Sequence, residues 1–190
     1  SETDSADAEA TVPSGGSTDA ATTDEGPVVL RVGWAGSPDT LNPGTAVLTE
    51  AYTIFEMVYD SMYQLELDGT YSLELADSVD VSEDGLVYTF HIRDGVTFHD
   101  GEALTAEDVA FSYNLYASQE DFPFLPVYTE FFASVEADDS NNVIITLTDA
   151  IPNIQSQLIY LYVLPEHIWG ALEGTAVPEF ENEAMIGSGP

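Results

Sequence analysis

Over 190 residues this chain sets 35 acidic side chains against two arginines, has no lysine and no cysteine, and carries a formal charge of −33 at pH 7. Such a surface all but excludes nucleic acid as a partner, because the counterion release that drives that binding needs basic side chains, and it repels anionic membrane surfaces. The missing cysteines remove disulfides, thiolate chemistry and thiolate-held metals. The hydrophobic content of 44% suits one domain with a real core, and the longest apolar run, Leu158–Leu164, falls short of the roughly 18 residues of a spanning helix.

In chain order, residues 1–26 consist mostly of Ser, Thr, Asp, Ala and Gly; they have too little to bury and are expected to form a disordered acidic tether. Val28–Trp34 predicts a first strand, with Val28, Leu30, Val32 and Trp34 on one face. A loop with Asn42 and two prolines follows, then a helix over Thr49–Met62 that gathers Tyr52, Phe55, Val58 and Tyr59 on one side. Tyr63–Leu67 and Tyr71–Leu75 flank Asp68-Gly69 as a short hairpin. Ser78–Val81 is a weakly alternating strand that stops at Ser82-Glu83-Asp84-Gly85, residues that tolerate tight or left-handed backbone. Beyond this turn Leu86, Tyr88, Phe90 and Ile92 alternate with Val87, Thr89, His91 and Arg93. A period of two predicts a half-buried antiparallel strand with the first set inward. Asp94-Gly95 and Asp100-Gly101 mark turns around Val96–Phe98. Thr105 stands at an N-cap position with Asp108 able to reach back as in a capping box, and Val109, Tyr113 and Tyr116 form the apolar stripe of a helix ending near Ala117. Phe122–Pro126 is a proline-broken aromatic loop, and Phe132–Ala137 and Val143–Thr148 are strands joined by the polar residues Asp138–Asn142. Asn153–Tyr160 and Glu166–Leu172 read as short helices, and the remainder as loop.

Motifs for catalysis are absent: there is no G-x-S-x-G, H-E-x-x-H, P-loop or G-x-G-x-x-G. Among 35 acids, carboxylate pairs fall together by chance, so no acid–base dyad can be argued. No catalytic residue and no cofactor is expected. His91 sits on the polar face of its strand, His99 in an Asp-Gly turn and His167 at a helix start, which are scaffold positions, so no metal site is expected. Arg31 and Arg93 are expected to tie local carboxylates.

Several of these stretches carry a resemblance. Ala76-Asp77-Ser78, Ser82–Gly85, the run Tyr88–Gly101 (YTFHIRDGVTFHDG) and Leu104–Tyr113 (LTAEDVAFSY) resemble the family 5 extracellular solute-binding proteins, the peptide-, dipeptide- and nickel-binding receptors of ABC importers. Asp39–Pro43 is similar to the family's early LNP loop, Met57–Met62 with Asp68-Gly69 to its next segment, and Ile186–Pro190 to its IGTGP motif. The resemblance implies a mixed α/β (α+β) fold, the N-terminal part of lobe I in a two-lobed, type II periplasmic-binding-protein-like architecture. Residues 27–190 are then a partial lobe I, with the second lobe absent. It further implies a monomeric extracytoplasmic receptor that captures peptides or similar small solutes for an ABC permease, lipid-anchored through a removed N-terminal leader. Tyr52 is similar in place to a pocket contact of the nickel-binding relatives. Phe122 and Phe124 lie in a loop that resembles the one reaching the cleft, and Tyr160 is a further candidate contact. The alternatives from other classes are an acidic secreted hydrolase and a sensory or adhesion module that kept the fold without transport.

The lysine-free acidic surface also resembles that of salt-adapted proteins. Self-repulsion burdens the compact state, and at about 1 M salt the Debye length shrinks to about 3 Å. The melting temperature should therefore climb steadily from low salt to molar KCl; a flat response would remove the salt-adapted reading.

Overall fold

The computed structural model describes residues 31–172 and 176–190, and the chain divides into two units, Ser1–Trp34 and Ala35–Pro190. In the first unit the described residues 31–34 carry no regular secondary structure, so the predicted strand is not seen there. Its residues 28–30, like the predicted tether over 1–26, lie outside the described residues.

The second unit is a four-stranded antiparallel sheet with one long helix against it. In chain order it contains α1 (Thr49–Val58), β1 (Tyr63–Leu65), β2 (Tyr71–Leu73), β3 (Ala76–Val81), β4 (Val87–Ile92), α2 (Ala106–Ser118), a 3₁₀ turn (Leu125–Tyr128), β5 (Phe132–Ala137), β6 (Asn142–Leu147), α3 (Gln155–Leu158), α4 (Glu166–Trp169) and α5 (Ala176–Glu179). The sheet runs β3-β4-β6-β5, and β1 and β2 form a separate hairpin. Gly69 and Gly85 turn their hairpins at φ of 85° and 71°, a left-handed backbone that side chains resist.

β4 has the predicted faces, with burial graded along the strand. Phe90 and Ile92 are fully buried, Leu86 and Tyr88 are half-buried against the same core, and Val143 and Ile145 of β6 complete that layer. Its outward His91 meets the Asn142 side chain at 2.9 Å. Helix α1 ends at Val58 rather than Met62, because Tyr59 turns extended (φ −118°, ψ 137°) while its N–H closes the last helical bond to Phe55. Arg93 also departs from expectation. Its guanidinium donates to the Ala76 and Leu73 carbonyls at 3.2 and 3.1 Å, binding backbone rather than a carboxylate. Among the described residues the ion pair within 4.0 Å is His167–Asp100.

Helix α2 buries Val109, Tyr113 and Tyr116, as its stripe predicts. Asp108 accepts the Thr105 N–H at 2.9 Å, the predicted reach-back of the capping box. A second, polar stripe on α2 holds an extended segment. Asp108 accepts the Glu166 N–H at 2.9 Å, Ser112 accepts the Leu164 N–H at 2.8 Å while its own proton goes to the Asp108 carbonyl at 2.6 Å, and the Tyr116 hydroxyl donates to the Tyr162 carbonyl at 2.7 Å. Four helical residues rise about 6 Å and two extended residues about 6.6 Å, so positions 108, 112 and 116 fall in step with 166, 164 and 162.

The C-terminal residues strap the end of α1. Gly189 N–H donates to the Val58 carbonyl at 2.9 Å, and His99 clasps the strap from the other side. Its Nδ1 accepts the Gly187 N–H and its Nε2–H donates to the Gly189 carbonyl. A Cβ on residue 187 would overlap the Val58 carbonyl, which is why glycine stands there.

Phe90 is fully buried and Thr89 is not. Phe90→Ala should therefore cost about 3–5 kcal/mol in urea unfolding, and Thr89→Ala under about 1. Equal costs would show that the faces of β4 are misassigned.

Candidate functional site

Three separated segments meet at an open aromatic pocket of about 240 Å³, lined by Tyr52, Phe124, Leu125, Tyr128 and Tyr160. Helix α1 supplies Tyr52, whose hydroxyl donates to the Ala46 carbonyl at 3.1 Å and is thereby held. The 3₁₀ turn supplies Leu125 and Tyr128, with Phe124 just before it. Tyr160 follows α3 and stacks on Tyr128 with centroids 5.0 Å apart and planes at 29°. Phe124 and Tyr160 remain 46% and 42% exposed, so both present ring surface to an incoming molecule.

Of the predicted contacts, the structure brings Tyr52, Phe124 and Tyr160 together and leaves Phe122 out. Phe122 is 3% exposed, packs against Tyr116 at 6.3 Å and lies over Gly44, where a Cβ would overlap its ring. The loop alternates, so Phe122 points in and Phe124 out. Phe122 therefore secures the Asn42 loop and is no wall of the pocket. That loop is also pinned by Asn42, which donates to the Val177 and Phe180 carbonyls at 2.8 and 3.1 Å and accepts the Gly44 N–H. Asn182 donates to the Leu41 carbonyl and the Tyr59 hydroxyl, both at 2.7 Å. Leu125 and Tyr128 were missed by sequence reasoning. Their spacing of three across Pro126 is the signal, since i and i+3 eclipse in a 3₁₀ turn.

A second concavity of about 460 Å³ shares Tyr160 and is lined also by Glu56, Ser61, Tyr63, Glu74 and Tyr162. Glu74 accepts the Ser61 N–H at 3.2 Å. Burial raises its carboxyl above the ordinary range; the Ser61 N–H opposes this and the Asp60 charge adds to it. Burial likewise raises the Tyr162 hydroxyl, and the Glu56 charge adds to it. The histidines are engaged elsewhere, His99 by both ring nitrogens on the strap and His167 with Asp100 at 2.8 Å.

Residues 70–190 match the family described as bacterial extracellular solute-binding proteins, family 5 Middle. The chain belongs to this family. Its relatives include the oligopeptide-binding protein AppA of Bacillus subtilis, 30% identical over 85% of this chain and 30% of that protein. AppA solved with a nonapeptide superimposes with a TM-score of 0.74 at 29% identity, over 82% of this chain and 31% of that one. NikZ of Campylobacter jejuni, solved with Ni(L-His), gives 0.69 at 28% identity, over 80% and 30%. The chain thus spans about 30% of the length of the curated relatives it matches. The mixed α/β fold is that of the periplasmic binding proteins, the family is extracellular by description, and no helix among the described residues is long and apolar enough to cross a membrane.

Burial pushes the hydroxyls of Tyr52, Tyr59 and Tyr63 up to about 12 from the ordinary 10.0. Above pH 10 the unfolded chain releases protons that the fold retains, so the fold binds more protons and stability falls as pH rises. This contribution is whole below 10.0 and lost as pH passes about 12. Far-UV circular dichroism should collapse within that window, together with the rise of tyrosinate absorbance. A fold that persists with these tyrosines ionised would contradict the burial.

Proposed function

We propose that this chain is one wall of the solute cleft of an extracytoplasmic receptor that captures peptides or similar small solutes and presents them to an ABC permease. The observation that carries this reading is the convergence of Tyr52, Phe124, Tyr128 and Tyr160 from three segments on one open pocket, within a fold whose relatives include a protein solved with a nonapeptide. Ring faces with polar rims suit solutes of mixed polarity, and pockets of this kind fix a ligand with a few convergent groups. The task is capture without bond chemistry, by a monomer. In this reading residues 27–190 form part of lobe I, and 1–26 tether it to a lipid anchor at the outer face of the membrane. The exposed faces of Phe124 and Tyr160 then await closure of a second lobe, which would bury the solute as hinge-closing receptors do. One wall alone pays the entropy cost of binding with few contacts, so this chain should bind weakly.

Chemical-shift mapping of the 190-residue chain in molar KCl, titrated with peptides of two to nine residues, tests the proposal. Shifts should centre on Tyr52, Phe124, Tyr128 and Tyr160. Tyr128→Ala with Tyr160→Ala should weaken binding by about tenfold or more, since each lost ring contact is worth about 1 kcal/mol, without lowering the melting temperature by more than a few degrees. If no peptide shifts these residues, the receptor reading falls.

A further inference from the structure

The aromatic pocket shares a wall with an acidic one. Tyr160 lines both, and α1 serves both, because Tyr52 and Glu56 stand four residues apart and so share a helix face. The ring of Tyr52 goes to the first hollow and the carboxylate of Glu56 to the second, where Glu74 approaches from the chain just after β2. Neither hollow is lined by a basic side chain. The chain has only Arg31 and Arg93, and Arg93 spends its Nε–H and one Nη2–H on the Ala76 and Leu73 carbonyls. Its charge is also the weakest of the influences on Glu74. That carboxyl is thus half-buried, desolvated and, among the described residues, in no ion pair within 4.0 Å, beside tyrosines whose ring faces carry negative potential. A carboxylate so placed gains most from a positive group that arrives with the solute.

We infer that the hollow lined by Glu56, Glu74, Tyr63, Tyr160 and Tyr162 is a cation subsite, which takes an ammonium or guanidinium group of the solute while the neighbouring aromatic pocket takes its apolar part. This rests on the receptor reading and narrows it, to solutes carrying a positive charge. Acidic solutes are disfavoured, since the second hollow presents two carboxylates and neither hollow is lined by a basic side chain. In molar salt long-range attraction is screened within about 3 Å, so the discrimination comes from direct contact and survives there.

Three capped peptides of one length separate the charge from everything else: Ac-Phe-Ala-Arg-NH₂, Ac-Phe-Ala-Gln-NH₂ and Ac-Phe-Ala-Glu-NH₂, titrated into the 190-residue chain in 1 M KCl with binding read by chemical shifts. The arginine peptide should bind at least tenfold more tightly than the glutamine peptide, with shifts at Glu56 and Glu74, and the glutamate peptide should bind weakest. Glu56→Gln combined with Glu74→Gln should remove the tenfold advantage of the arginine peptide over the glutamine peptide. Glu56 is exposed and a glutamine at 74 can still accept the Ser61 N–H, so the double variant should melt like the parent. Equal affinity for the arginine and glutamine peptides overturns the cation subsite and leaves the receptor reading standing. Preference for the glutamate peptide overturns it as well. Failure of all three to bind removes both.

Discussion

The second unit depends on a match of two periods. The polar stripe of α2, Asp108, Ser112 and Tyr116, repeats every four residues, and the backbone it binds, Glu166, Leu164 and Tyr162, repeats every two. The segment Leu161–Leu164 is buried throughout, so its N–H and C=O groups have no water to turn to and must be paired within the protein. Replacing Ser112 by alanine would orphan the Leu164 N–H, at a cost of about 1–3 kcal/mol. The same stripe fixes the direction in which the chain leaves α3, and with it the place of Tyr160. A wall of the candidate site is thereby set from a helix 46 to 58 residues earlier in the chain.

The charge is accommodated in a way that formal counting hides. With two arginines, most carboxylates cannot find a cation, and they turn to nearby hydroxyls and amides instead. Asp68 is held by Thr70, Asp84 by Ser82 and the Leu86 N–H, and Asp138 by Asn142 and the Ser140 N–H, and each is lowered from the ordinary carboxylate range by those bonds. Asp39 accepts the Val47 and Leu48 N–H groups just before α1. Acidic residues thus do structural duty in turns, where Asx-type bonding favours them anyway. Glu74 is the contrast: burial raises its carboxyl where hydrogen bonding lowers the others.

What the sequence made legible was local and periodic. The alternation of Leu86–Ile92, the reach of Asp108 to Thr105 and the stripe of Val109, Tyr113 and Tyr116 each follow from one element's own geometry, and each is found. The errors share a cause, which is dependence on a distant partner. Helix α1 stops early because Tyr59 and Val58 are claimed by Asn182 and Gly189. Phe122 turned inward because Gly44 leaves room for a ring there. Arg93 found carbonyls because the hairpin brings Leu73 and Ala76 to it. At the site Tyr52, Phe124 and Tyr160 were legible as aromatics in suggestive places. Tyr128 was not, since its one signal, the i, i+3 pair with Leu125 across Pro126, is a single turn long and reads as a break in the chain before it reads as a face.

The outermost strand β3 shows what the acidity does between molecules. An unpaired strand edge is a template on which another chain can add. Among the described residues the outer edge of β3 is unpaired; it carries exposed Asp77 and Asp80, and its pairing with β4 slips between Ala76 and Ser78. A second copy aligning there would have to bring its own aspartates alongside and strip them of water. Salt at molar strength silences the approach at a distance but leaves that dehydration in full. The aspartates therefore set a dehydration cost against edge-to-edge pairing that added salt does not remove.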